Sequence, residues 1–400
     1  MRTVFRRVLL LFFLSSLLST ASFAASHIGK YILYVGTYTQ DNGKDTGSKG
    51  IYAFRFKEGS GKLKPLGVAA ETINPSFLAA APDDQFLYAV NEVQHYQGAE
   101  SSGAVTAFSI DLKTGKLKQL DEVASRGADP CFIAFDKTGR YVLVANYTGG
   151  NVAVFHLASD GKIEDASSVQ DDQGQLGPVK DRQEHAHAHW IEVSAHNRFA
   201  YVSDLGLDRV LIYKFDAGKG TLSRGESAEA TSNSDFYSAK LAPGTGPRHV
   251  AFSADGKFMY VLGEIDSTVT VFANDGNETF RSIQKISTLP PGFSGENTAA
   301  EIEVHPDGKF LYTSNRGDDS IAVFQIDTSS GKLTFLERVP SGGKTPRHFA
   351  IGPGGKRLLV ANEETGNIVE FKIDTRKGTL KKPHEVAKVP APVCLVFVPQ

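Results

Sequence analysis

Six segments of this 400-residue chain carry one pattern: an apolar strand, a turn rich in Asp, Gly and Asn, a second apolar strand, then a polar residue. They are PSFLAAAPDDQFLYAVNE (75–92), PCFIAFDKTGRYVLVANY (130–147), AHWIEVSAHNRFAYVSDL (188–205), PRHVAFSADGKFMYVLGE (247–264), AAEIEVHPDGKFLYTSNR (299–316) and PRHFAIGPGGKRLLVANE (346–363). Each is followed by a third strand (GAVTAFSI, NVAVFHL, RVLIYKF, STVTVFA, SIAVFQI, NIVEFKI) and a fourth, usually opened by Gly-Lys or Gly-Thr. The period, measured between Asn91, Asn146, Asp204, Gly263, Asn315 and Asn362, runs from 47 to 59 residues. Four antiparallel strands per repeat at about that length are the mark of propeller blades.

A seventh unit is divided between the ends of the chain. PVCLVFV (392–398) matches a first strand, YILYVGT (31–37) a second, and GIYAFRF and GKLKPL a third and fourth. The expected fold is therefore all-β: one seven-bladed β-propeller of four-stranded antiparallel blades, closed by pairing its terminal strands. The 39 glycines and the 39 Phe and Tyr side chains suit many turns between many short packed strands.

Ahead of the repeats, Arg2, Arg6 and Arg7 precede an apolar run from Val8 to Leu18 and then the small residues Ser19 to Ala24. That is the order of a secretory signal peptide, and the run is short for a membrane span. We read residues 1–24 as the signal and 25–400 as a single domain, exported to the periplasm or beyond. Two cysteines, Cys131 and Cys394, allow one disulfide but no disulfide framework. The 43 basic and 45 acidic residues give no excess that nucleic acid would require.

In an antiparallel pair the start of the first strand and the end of the second share one edge. In a propeller whose first strand lines the channel, those positions open onto one mouth. The first carries Ser76, Cys131, His189, Arg248, Ala300 and Arg347; the second, sixteen residues on, carries Glu92, Tyr147, Leu205, Glu264, Arg316 and Glu363. Arg, Glu and His at the edge of a cavity need partners, and could converge on an anion or a carbonyl. The plainer alternative is a set of ion pairs between blades. Arg248/Glu264 and Arg347/Glu363 repeat one spacing, each Arg preceded by Pro and followed by His.

His185, His187 and His189 alternate with Ala, so an extended chain would aim all three to one side. Three such ligands suit a zinc-like cation, but no fourth ligand stands at a recognisable spacing. An acid–base His flanked by Arg and Glu is the preferred reading, and no metal or cofactor is assigned. The run Asp204-Leu205-Gly206-Leu207-Asp208 reads as a turn rather than a calcium loop. No Gly-x-Ser-x-Gly elbow and no Walker sequence occurs, and Cys131 has no identified activating base.

HAHW with DLGLDRV, GPRHVAFSADGKFMYVLGE, HPDGKFLYTSNR and TPRHFAIGPGGKRLLVANE together resemble the seven-bladed propeller lactonases across residues 31–400. That family includes the bacterial propeller-type 6-phosphogluconolactonase and the fungal carboxy-cis,cis-muconate cyclase. The resemblance implies an active site of one His, two Arg and one Glu at the central mouth. By motif these fall on His189 or His187, Arg248, Glu264 and Arg316, with His187, Arg347 and Glu363 as substrate-binding candidates. It implies metal-independent hydrolysis of a small sugar lactone, with muconate-type cyclisation or a non-catalytic binding module as alternatives. An exported enzyme would not ordinarily meet a phosphorylated cytosolic lactone, so an unphosphorylated sugar lactone or another periplasmic lactone is expected.

Overall fold

The first two strands of each repeat join through a tight turn that needs one residue in the left-handed region. Gly139, Gly256, Gly308 and Gly355 supply it, with φ between 66° and 73°. Asp84 (φ 59°) and Asn197 (φ 56°) supply it in the other two, being among the residue types that tolerate this conformation. The second strands that follow are near-continuous apolar runs, buried on both faces as in Tyr141–Asn146 and Phe258–Gly263.

The computed structural model describes residues 29–98, 101–224, 238–276 and 278–400. The segment read as a signal peptide lies outside them. Seven sheets form a ring. Blade 1 pairs Pro392–Pro399, Lys30–Thr37, Gly50–Lys57 and Lys62–Glu71, so that Tyr31 faces Pro399. Blades 2 and 3 begin with the inner strands Phe77–Ala80 and Pro130–Phe135. Blades 4 to 7 begin with Ala188–Val193, Pro247–Phe252, Thr298–Val304 and Pro346–Ile351. In blade 4 both Thr221–Arg224 and Ser238–Lys240 pair with the third strand, where the repeat predicts one continuous outer strand. Asp204 to Asp208 form a turn, as read from the sequence.

Neighbouring blades stack through buried aromatics, among them Tyr88, Phe108, Phe155, Tyr260, Phe324 and Phe371, each worth about 1.5–3 kcal/mol on full burial. A second contact recurs at the periphery. The glycine that turns the third strand into the fourth lies against the first residue of the second strand in the preceding blade. Gly161 meets Phe86, Gly220 meets Tyr141, Gly331 meets Phe258 and Gly378 meets Phe310; a Cβ at any of them would lie 2.2–2.3 Å from the ring. At the junction of blades 7 and 1 the aromatic is replaced by Arg357, which Gly61 meets.

The rim is held by a polar residue at the end of every second strand except that of blade 5, which ends in Gly263. Asn146 Nδ2 donates to Ser125 O (3.1 Å) and Asn151 Oδ1 (2.8 Å), and Asn315 Nδ2 to Thr288 O (3.2 Å). Each side chain thereby ties its own rim turn to the outer strand of the preceding blade. The next residue along the chain is the second rim position.

Candidate active site

The inner strands deliver their first residues to the mouth through β-bulges. In six blades the pairing of first and second strands slips by one residue at this edge. The unpaired residues are Val393, Cys131, His189, Arg248 with His249, Ala300 with Glu301, and Arg347. A bulge leaves its extra residue out of the ladder and re-aims the side chain. Consecutive residues of one strand can thus both serve the channel, which strict alternation forbids.

Glu264 is the centre of the site. Its carboxylate lies 2.9 Å from Arg248 Nε and 2.9 Å from Arg316 Nη2, and accepts a short hydrogen bond from Arg182 Nη2. His189 Nε2 stands 3.9 Å from Glu264 Oε2, beyond direct hydrogen-bond reach. Glu264 and Arg248 are buried, at 5% and 2% exposure. Burial would raise the Glu264 carboxyl, but the charges of Arg316, Arg248 and Arg182 outweigh it and hold the group well below the usual carboxylate range. Burial, and then the charges of Arg316 and Arg347, bring Arg248 down to about 10, so it remains a cation at neutral pH.

Burial also lowers His189 well below an ordinary imidazole, helped by the charges of Arg248, His249 and Arg347. The ring is neutral at neutral pH. Beside it, Cys131 Sγ lies 3.8 Å from His189 Nδ1, and burial pushes its thiol far up. Cys131 is therefore no nucleophile. Cys394 is buried and free as well, and the two form no disulfide.

Across the mouth the expected Arg347/Glu363 pair is not formed. Arg347 instead packs over the Tyr38 ring (4.9 Å), donates to Tyr38 Oη, and stands 3.8 Å from Glu92 Oε2. Tyr38 Oη donates in turn to Glu92 Oε1 at 2.8 Å. Glu363 lies beyond ion-pair distance of Arg347 and acts on it only through longer-range charge. The histidine run divides as well. Its strand begins at Ala188, and only His189 joins the Glu264 cluster. His187 stacks on Tyr147 at 4.3 Å and faces Glu184 with His185.

Below the mouth, five inner strands contribute a second layer. Phe77 lies 5.8 Å from His249 and 5.6 Å from His348, with Phe132 5.3 Å from His249. Arg248 Nη1 donates to His249 Nε2 (3.2 Å). Arginine has only donors, so His249 carries its proton on Nδ1 and gives it to Glu301 Oε1 at 3.0 Å. This chain from Glu301 through His249 holds Arg248 in place.

Two residues further along the strand, Glu303 accepts from Ile351 N (3.0 Å) and is pushed up to about 8 by burial and by Glu301. A carboxyl raised in the folded state supports the fold fully only below its unfolded value. That support is lost as pH rises from there towards 8. Glu303→Gln keeps the hydrogen bond without the ionisation. It is expected to raise the thermal midpoint at neutral pH, with the gain shrinking towards pH ~4 in melts recorded across that range.

Four participants escaped the repeat reading. Tyr38 is the second rim position of the divided blade, following Thr37 as Glu264 follows Gly263, and the same register would have found it. His249 and His348 follow the two rim arginines, but only the bulge brings them to the channel. Arg182 comes from the connection between blades 3 and 4, outside any repeat, and carries no sequence signal.

The seven-bladed ring thus gathers at its mouth one Glu held by three arginines, with a His beside it. The pattern of the family described as "Lactonase, 7-bladed beta-propeller" matches residues 32–397, and the chain belongs to that family. It is 36% identical over 311 residues to a 6-phosphogluconolactonase of Bacillus subtilis, covering 78% of this chain and 82% of that protein. Among solved structures, the periplasmic gluconolactonase of Pseudomonas aeruginosa is 35% identical, with a TM-score of 0.82 over 92% of this chain and 99% of that one. A putative 6-phosphogluconolactonase of Bacteroides fragilis is also 35% identical, with a TM-score of 0.81 over 94% and 99% of the two chains.

Proposed function

We propose that this protein is an exported hydrolase of an unphosphorylated sugar lactone, acting at the mouth around Glu264. The observation that carries the reading is the contrast between Glu264 and His189. An anion gripped by three guanidinium groups is a poor proton acceptor, whereas a buried neutral imidazole 3.9 Å away is free to take a proton. His189 therefore acts as the base that activates water. Arg248 and Arg316 face the lactone carbonyl and stabilise the oxyanion as the tetrahedral intermediate forms. Glu264 keeps these cations aligned, and the protonated His189 returns the proton to the departing ring oxygen.

Among the described residues, Arg182, Arg248, Arg316 and Arg347 gather at the mouth around Glu264 and Glu92, a guanidinium-rich lining suited to an electron-rich substrate. Export is supported by the basic, apolar, small-residue order of residues 1–24 and by the likeness to a periplasmic gluconolactonase. The mature protein is expected to hydrolyse gluconolactone-type substrates in a lactone panel. The acid limb of its kcat/KM profile should lie below the pH at which a free imidazole titrates, because the folded His189 is depressed. Turnover of muconates alone, or of no lactone at all, would overturn the assignment.

A further inference from the structure

The residues of the histidine run that the hydrolytic site leaves aside form a cluster of their own. Glu184 and His185 are about half exposed, while the His187 side chain is only 4% exposed. Their ligand atoms lie within 4.8 Å of one another. We propose that Glu184, His185 and His187 bind a divalent transition-metal cation of the zinc type.

The case rests on where the ring protons must be. His185 Nδ1 lies 2.6 Å from Ala186 O, and His187 Nδ1 lies 3.2 Å from Tyr147 O. A carbonyl oxygen can only accept, so each ring carries a proton on Nδ1. With each ring neutral, both Nε2 atoms then present lone pairs, and both face the same carboxylate oxygen. Glu184 Oε1 is 3.5 Å from His185 Nε2 and 3.1 Å from His187 Nε2. Three electron-rich atoms aimed at one another repel unless a cation sits between them.

The spacing suits a metal. With bonds of about 2.0–2.1 Å, the ligand atoms of a tetrahedral zinc site stand about 3.3 Å apart. Imidazole protons given to backbone carbonyls are the usual outer arrangement around a metal-binding His, fixing ring orientation and tautomer. Two imidazole nitrogens and one carboxylate oxygen favour zinc, cobalt or nickel over calcium or magnesium, which take oxygen ligands.

The frame is rigid. His187 N donates to Asp204 Oδ1 at 2.9 Å, and Gln183 Nε2 donates to Leu205 O at 2.8 Å. At Gly206 any Cβ would fall 1.8 Å from His185 O, so the turn presses directly on the ligand loop. The exposed side of the cluster leaves an entry path and a fourth position for water. His189 takes no part, since it faces Glu264.

The test is titration of tag-free, chelator-treated protein with Zn2+ by calorimetry, and with Co2+ by visible absorption. One equivalent should bind with micromolar affinity or tighter, and Co2+ should give the intense bands of a tetrahedral site. His185→Ala and Glu184→Gln, both at half-exposed positions and checked for unchanged thermal melts, should each weaken binding by about tenfold or more. His196→Ala, elsewhere on the surface, should not. If no saturable binding occurs, or if it survives both substitutions unchanged, a proton rather than a metal joins these groups and the proposal is wrong.

Discussion

Arg248→Ala is expected to lower kcat/KM for the lactone by about 100- to 1,000-fold, the scale for removing one preorganised oxyanion donor. The fold should survive, because Glu264 keeps two charged partners in Arg316 and Arg182 and is not left as an unpaired buried charge. Arg248 also donates to Ala300 O and His249 Nε2, so its guanidinium is fixed on three sides before substrate arrives. Arg248→Lys keeps the charge but not this forked geometry, and should recover only part of the loss. Steady-state kinetics beside thermal melts separate the two effects. An undiminished rate in a folded Arg248→Ala protein would remove this residue from the mechanism.

The largest effect on stability is expected away from the mouth, at the junction of blades 7 and 1. There Arg357 is 6% exposed and Glu370 1%, paired by a short hydrogen bond. Arg357 also donates to Glu58 O (2.9 Å) and Gly59 O (3.2 Å) of blade 1. Glu370→Ala strands a buried guanidinium and should cost about 3–5 kcal/mol, read from denaturant unfolding. Replacing both partners, Arg357→Phe with Glu370→Leu, restores the aromatic contact used between other blades and should recover most of that loss. If the double variant is no more stable than Glu370→Ala alone, the packing argument fails.

How much of this was legible in the residues follows from what each kind of signal encodes. The seven blades, the split closure and the rim positions of His189, Arg248, Glu264 and Arg316 all follow from periodicity, which survives in one sequence because every blade solves the same packing problem. The Arg347/Glu363 pair failed because equal spacing in two blades does not give equal neighbours: Tyr38 of blade 1 and Glu92 of blade 2 reach Arg347 across the mouth. The histidine run failed as a single face because the strand starts only at Ala188, leaving His185 and His187 in the loop before it. Arg182 stayed hidden because a connection without periodicity gives no register in which to place a side chain. Bulges are equally silent, since one extra residue leaves the apolar pattern on either side intact.

The pairing of Tyr31 with Pro399 has a consequence for how the molecule comes into being. Six blades are each assembled from one continuous stretch of chain and can form as they are made. The remaining one lacks its innermost strand until Pro392 to Pro399 are in place. Until then the ring cannot close, because Lys30–Thr37 has no inner partner. Loop-closure entropy is greatest for this last contact, which spans nearly the whole polypeptide, so it is the step most exposed to competing aggregation. A chain that ended ten residues early would lose little mass but would have no means of becoming a circle.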